Sequence, residues 1–478
     1  MFIVFIVGEI IQNDLISLDV NKINFDDKES VKSLIITLLN VVEQLLQENR
    51  QLRVEVQQLR DENARLKGEK GKPKIAPNVP PREPQLPPAE RSKKWSKDSK
   101  KPKIKIDRVV SLKINPETLS PDAVFKGYSS IVIQNIRLQT DNVEYRREHY
   151  YSPSLNKNYY AELPKDVQST QFGSDLKALV AVLYYVGRVT ENKIHSILTD
   201  FGTIISEGEI SNILTKEKSE AFAAEKADIF QMGMMRANYF QTDETGARHQ
   251  GKNCYMHYFG NEKFSTYFIE KSKSRATIRR ILGLLEGVLE RTPMTTDGAR
   301  QYIGIAIWHA LCWIHEIRFY KKLKPYLDFH RLILEKFMVN LWDFYDLLKR
   351  YKSSPNINLK AVIEQEFDSL FTRTTGYIEL DKRIASTFKN RKELLTVLES
   401  PAVPLHNNGS EIAVREGVLK RKISYGTRSD LGKAAWENML SIRDTCRKLK
   451  VGFYEYVRDI YSNDFCMPRL ADLLAKAE

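Results

Sequence analysis

Three acidic residues have the type and setting for chemistry on phosphates. QTDETG closes a strand-like run at Asp243, MTTDGARQY closes another at Asp297, and HNNGSEIAVREG opens a helical pattern with Glu411 in its first turn. Two-metal phosphoryl transfer needs such carboxylates on rigid strand ends and a crossing helix, because two divalent cations about 3.5–4 Å apart must hold both the attacking and the leaving oxygen. Mg²⁺ is hard, keeps several waters and takes only one or two carboxylates, so few acids suffice and no Cys or His cluster is required. Each acid also has a plainer role. Asp297 can be an ordinary cap at a strand-to-helix junction. Asp243 competes with Glu244, which points to the opposite face of a strand. Glu411 can serve the helix dipole and pair with Arg415 one turn on. Spacing alone leaves these alternatives open.

The elements that must hold the acids follow from changes of period. RANYFQTDET, NCYMHYFG and KFSTYFIEK read as strands with turns at HQGKN and GNEK, a hairpin meander. SRATIRRILGLLEGVLE puts Ile278, Ile281, Leu282, Leu285 and Leu289 on one helical face, and RTPMTTDGARQY returns to a strand. Three strands, a helix and a further strand ending in an acid are the order of a ribonuclease H-like α/β fold, which would make Asp297 a partner for Asp243. Residues 315–400 read as helix, with Trp342, Phe344, Tyr345, Leu347 and Leu348 among the apolar positions. The segment breaks at SPAVPLHNNGS, and amphipathic helices run from about Glu411 to 460.

Upstream, Leu38, Leu45, Leu52, Leu59 and Leu66 fall on every seventh residue, with Ile35, Val42, Asn49, Val56 and Asn63 at the companion positions. This is a coiled-coil seam. Asn49 and Asn63 cost stability and favour an in-register parallel pair, and Glu48 with Arg53, Glu55 with Arg60 and Glu62 with Lys67 match as opposite charges across it. A homodimer is the expectation; the plainer alternative is an amphipathic helix on the protein's own core.

The 478 residues are 42% hydrophobic, enough to bury real cores, and a net charge of +13 with pI near 9.2 points to a polyanion, nucleic acid before membrane. Cys254, Cys312, Cys446 and Cys466 are scattered without a CxxC pair, which suggests neither a disulfide framework nor a cysteine zinc site. The opening MFIVFIVGEII is too short to span a bilayer and lacks a basic start or cleavage site, so a cytoplasmic protein is expected. The expected organisation is an N-terminal segment (1–33), a leucine-zipper coiled coil (34–67), a basic Pro-rich linker (68–105) and a small β-rich domain (106–165). A helical, helix-turn-helix-like region (166–230), centred on TENKIHSILTDFGTIISEGEISNILTK, precedes the core's first part (231–314). The helical insertion (315–400), the core's second part (401–462) and a tail (463–478) complete it.

QTDETG, TTDGARQY, LCWIHEIRFYKKL and HNNGSEIAVREGVLKRKISYGTRSDLGKAAWENML together resemble the transposase family of insertion sequence sixty-six, of the TnpC type. The similarity runs from about 170 to 462. It implies a DDE catalytic core in which Asp243, Asp297 and Glu411 are the catalytic acids and hold two Mg²⁺ ions, for which Mn²⁺ can substitute. Asn407, Asn408 and Glu411 match the family's Asn-Asn-x-x-Glu pattern, and Cys312, Trp313, His315 and Arg318 its Cys-Trp-x-His-x-x-Arg run, which reads as structural and DNA-positioning rather than metal-ligating. The resemblance implies a bacterial, nucleoid-associated DNA transposase that cuts transposon ends and transfers strands, with small accessory proteins of the same element. Arg318, Arg415, Lys420, Arg421, Lys422 and Arg428 would lie on DNA; a solvated helix end is the plainer reading of the last four. Two departures stand out. The 106–165 region lacks the four cysteines of many relatives, and Ile412 follows Glu411 where many carry Arg. Rival readings are a ribonuclease H-like nuclease that cuts without joining, and a catalytically decayed DNA-binding regulator.

Overall fold

A computed structural model of the chain describes residues 27–66, 106–115, 128–134, 136, 139–164 and 171–476. The apolar opening, Lys67, the basic linker and the last two residues of the tail lie outside these. Two compact units divide the chain, one bounded as Met1–Gln51 with Asp141–Glu478, the other as Leu52–Thr140.

Helix α1 (Lys28–Leu66) starts on Asp27, whose Oδ1 accepts the Glu29 N–H at 3.2 Å. Its part within the first unit uses two faces. On one, buried Asn40 donates to Gly376 O (2.8 Å) and accepts from Ile378 N (2.9 Å), while buried Glu43 accepts from the N–H groups of Tyr326 (2.6 Å) and Leu327 (3.0 Å) and contacts His330 Nδ1 at 3.2 Å. On the other, Ile35, Leu38, Val42 and Leu45 stay 40–53% exposed. The helix is thus docked on its own chain and still presents the heptad seam outward. In the second unit the seam continues through Leu52, Val56, Leu59 and Leu66, all exposed. There 106–115 and 128–134 form neither helix nor strand.

The β texture of 106–165 condenses, among the described residues, into one antiparallel hairpin of the first unit, β1 (His149–Ser152) and β2 (Lys157–Tyr160). Ile131, Val132 and Ile133 are exposed and pair with no strand there, so a run of β-formers without a partner sheet forms no strand.

Next come α2 (Ser174–Ala181), continued by a π-helical turn at Val182–Val186, then α3 (Glu191–Asp200), α4 (Glu207–Thr215) and α5 (Ser219–Met235). The sheet follows: β3 (Phe240–His249), β4 (Lys252–Gly260) and β5 (Ser265–Glu270), then α6 (Arg275–Leu282) and α7 (Glu286–Arg291), then β6 (Met294–Thr296) and β7 (His309–Leu311). Its strand order is β5-β4-β3-β6-β7; β3, β4 and β5 are antiparallel neighbours, and β6 and β7 run parallel to β3.

The stretch expected to be a helical insertion does fold as helices: α8 (Trp313–Lys321), α9 (Asp328–Ser353), α10 (Ile357–Phe371), α11 (Ile378–Lys389) and α12 (Arg391–Leu394). It has an aromatic core of its own, where the Trp313 ring lies 5.4 Å from Phe344 and its indole N–H donates to Leu394 O at 2.9 Å. Burying each such ring stabilises by about 1.5–3 kcal/mol. The chain then returns as α13 (Asn408–Ser424), α14 (Asp430–Leu449), α15 (Phe453–Ser462) and α16 (Leu470–Lys476).

Helix α14 covers the edge strand β5. Thr445 and Ser441 hydroxyls accept the N–H groups of Ser265 and Tyr267 (each 3.1 Å), and the Glu437 carboxylate that of Ile269 (2.8 Å). Residues four apart on a helix thereby satisfy residues two apart on a strand, which closes an edge open to further pairing. The architecture is mixed α/β, as the sequence predicts.

Candidate active site

Strands β3 and β6 pair in parallel with Phe240 opposite Met294 and Gln241 opposite Thr295. Asp243 and Asp297 follow two residues later at the same offset, so the two acids stand at one level of neighbouring strands; Asp297 comes just past the end of β6, whereas Asp243 lies inside β3, which runs on to His249 rather than closing at the acid as the sequence reading expects. Asp297 does act as a turn cap: its Oδ1 accepts the Ala299 N–H at 2.9 Å, and Thr296 Oγ1 accepts that of Gly298 at 3.0 Å. Gly298 has φ +89, where a side chain is strained, and a Cβ there would lie 3.1 Å from Leu311 Cδ2. The cap occupies Oδ1 only; Oδ2 has no hydrogen-bond partner among the described residues.

Asp243 is half-buried with Oδ1 accepting the Glu244 N–H at 2.8 Å. Burial pushes its carboxyl up to about 7, the Glu244 N–H pulls it back, and the carboxylates of Asp297, Glu244 and Glu411 push it up further. The raised pKa means that the Asp243 proton stabilises the fold at low pH, and this contribution is lost as pH rises through about 7. Asp243→Asn should therefore melt higher than wild type at pH 8 in chelator, by roughly 1–2 kcal/mol, with no gain below the ordinary carboxylate range. Thermal melts at the two pH values check this; an equal shift at both would contradict it.

Glu244 takes the other face, as strand alternation requires. It accepts from Gln301 Nε2 (2.7 Å), Lys273 Nζ (3.2 Å) and the Tyr302 hydroxyl, which ties the loop after Asp297 to β3.

Helix α13 is laid across the sheet by small residues and two amides. Gly409 sits where a Cβ would be 2.5 Å from Gln241 Oε1, and Gly417 where one would be 2.9 Å from Met256 and Thr245. Asn407 Nδ2 donates to Thr242 O (3.0 Å), and Gln241 Nε2 to His406 O (2.8 Å). Glu411 stands one turn inside, close enough to raise the Asp243 pKa. Its Oε1 contacts Arg318 Nη1 at 3.3 Å and His315 Nε2 at 3.7 Å. The His-x-x-Arg pair of α8 thus holds the third acid, a contact that sequence spacing could not reveal. Among the described residues no three His, Cys, Asp or Glu side chains stand in ligand geometry. Asp243 and Asp297 converge, and Glu411 is turned to its arginine.

The basic residues separate. Arg415, Lys422 and Arg428 are exposed, Arg421 lies over Gly246 with Nη1 3.1 Å from where a Cβ would stand, and Arg318 is engaged by Glu411. Lys420 departs from the expectation of a DNA contact: it donates to the Tyr184 hydroxyl at 2.7 Å over that ring, and burial lowers its pKa to about 8. The helix-turn-helix-like pair is α3 and α4, but the first turn of α4 carries Glu207 and Glu209, an acidic start that repels phosphates.

The family model described as Transposase IS66 family matches residues 169–435, more than half of the chain. The chain belongs to that family. The IS66 match takes in the whole sheet, the insertion and α13, and begins downstream of α1 and the hairpin. An uncharacterized protein of Sinorhizobium fredii (strain NBRC 101917 / NGR234), y4jO, is similar to this IS66-family chain, 40% identical over 174 residues that make up 36% of the chain. The match spans about half of that relative, 53% of its length. Among the described residues no helix is long and apolar enough to cross a membrane.

Proposed function

We propose that this chain is a DNA transposase that cuts transposon ends and transfers the freed strands by two-metal phosphoryl transfer, on a ribonuclease H-like core. Membership of the IS66 family supports the reaction class. The sheet order supports the core: a three-stranded antiparallel meander followed by two strands parallel to its first is the ribonuclease H-like arrangement. The observation that carries the reading is the pairing of Asp243 and Asp297 at one level of adjacent parallel strands, neither with a cationic partner among the described residues, where burial and the neighbouring carboxylates raise Asp243 to about 7. Such a hard-oxygen donor set lacks positive charge and fits Mg²⁺ or Mn²⁺.

Asp243 and Asp297 would hold the ions and Glu411 would complete the set once Arg318 releases it. Bound divalent cations supply charge neutralisation and activation of the attacking oxygen. The protein's own residues do the positioning: Asn407 fixes α13 on β3, Asp297 Oδ1 locks its turn, and Glu244 anchors the loop behind it. Arg318 and exposed Arg415, Lys422 and Arg428 would take DNA phosphates, and two chains would pair through the α1 seam.

An assay offering duplex DNA with a pre-cut 3′-hydroxyl element end separates this reading from a nuclease. Joined product in Mg²⁺, absent with chelator, is expected. Cutting of uncut ends with no joining assigns the chain to the nuclease class.

A further inference from the structure

The stretch KSKSRATIRR, residues 271–280, rims the edge of the sheet that carries the acids. Strand β5 ends at Glu270 opposite Tyr255, which pairs with Gly246, three residues beyond Asp243 on the central strand. The chain therefore leaves the sheet on the Asp243 side and enters α6 there. Arg275 Nη2 donates to Arg300 O at 3.2 Å and Arg279 Nη2 to Gly304 O at 3.1 Å, so both guanidiniums grip the loop that begins at Asp297. Lys271, Arg275, Arg279 and Arg300 are all exposed, and none has an acidic partner among the described residues. Their neighbours differ: Lys273 pairs with Glu244 at 3.2 Å and Arg280 with Glu270 at 2.6 Å.

Four unneutralised cations around one loop repel each other and are tolerated only in water or against an anion. The Arg275 and Arg279 guanidiniums each use one N–H on a carbonyl and keep others, in a fork that suits a phosphate. We propose that Lys271, Arg275, Arg279 and Arg300 form a clamp for the backbone of duplex DNA beside the Asp243–Asp297 pair. The clamp positions DNA along the Asp297 loop. It rests on the reading above that the acids act on DNA.

Phosphate binding of this kind is independent of sequence, so the test uses the full chain and a fluorescent duplex of arbitrary sequence, with affinity measured across a salt series. The variant carries Lys271→Gln, Arg275→Gln and Arg279→Gln, which keep amide donors for the carbonyls and remove the charges. Expected is a plot of log affinity against log salt shallower by about 0.9 for each phosphate no longer neutralised, roughly 3 in all. Returning Arg275→Lys and Arg279→Lys should recover most of that slope, and Arg280→Gln, whose charge is already paired, should leave it unchanged. An unaltered slope in the triple variant, with its melting intact, overturns the clamp and leaves the catalytic reading standing. Wild type that shows no salt-dependent affinity overturns the clamp as well. Full cleavage by Asp297→Asn, with the slope change present, sinks the catalytic reading alone.

Discussion

Asp297→Asn is expected to reduce Mg²⁺-dependent cleavage of DNA bearing the element's ends by at least about 10³-fold while DNA binding stays within about twofold. Asparagine keeps an oxygen for the Ala299 N–H, so the turn that Oδ1 closes survives and the fold with it. The variant lacks the negative charge beside Asp243, and with it the paired anionic oxygens a divalent cation requires. The substitution thus separates the two roles that Asp297 carries in one side chain. A gel cleavage assay alongside binding by anisotropy reads both. Equal cutting by the variant would reduce Asp297 to a cap and favour the regulator reading.

Leu45→Glu with Leu52→Glu should convert a dimer to monomers, seen as halved mass by light scattering. Both side chains are more than half exposed, at 53% and 59%, so the changes disturb no packing within the chain, whereas in a paired seam they would place like charges face to face. The docking of α1 through Asn40 and Glu43 lies on other residues and should persist. Unchanged mass would leave α1 as a helix serving its own chain alone.

The meander, the α6–α7 helical stretch and the acid-terminated strand were legible because period and turn residues mark them, whereas alternation put Asp243 and Glu244 on opposite faces without saying which of them lies beside Asp297. The docking of Asn40 on Gly376 was not, since its partner lies more than three hundred residues away and a heptad pattern reports only one face of a helix. Lys420 illustrates a different failure. Read as part of a basic run it looks solvated, but α13 buries Ser410, Val414 and Gly417, and the next step of three residues along that face is Lys420 itself. The stretch around Ile131 shows the converse, β-forming residues that join no sheet. The His315–Arg318 hold on Glu411 required three-dimensional knowledge, because ninety-three residues separate Arg318 from Glu411.

The two ends of the insertion meet. Trp313 N donates to Leu405 O at 2.9 Å and Asn407 N to Cys312 Sγ at 3.2 Å, while Lys352 Nζ caps the carbonyls of Pro401, Ala402 and Val403 at 2.7–2.9 Å. Entry and exit are one doorway, and the annex beyond it reaches the carboxylates through α8, whose His315 and Arg318 contact Glu411. Lengthening a large loop costs little in closure entropy once its ends are fastened. Loops of the annex past α8 can therefore lengthen at little cost, provided α8 keeps Arg318 beside Glu411.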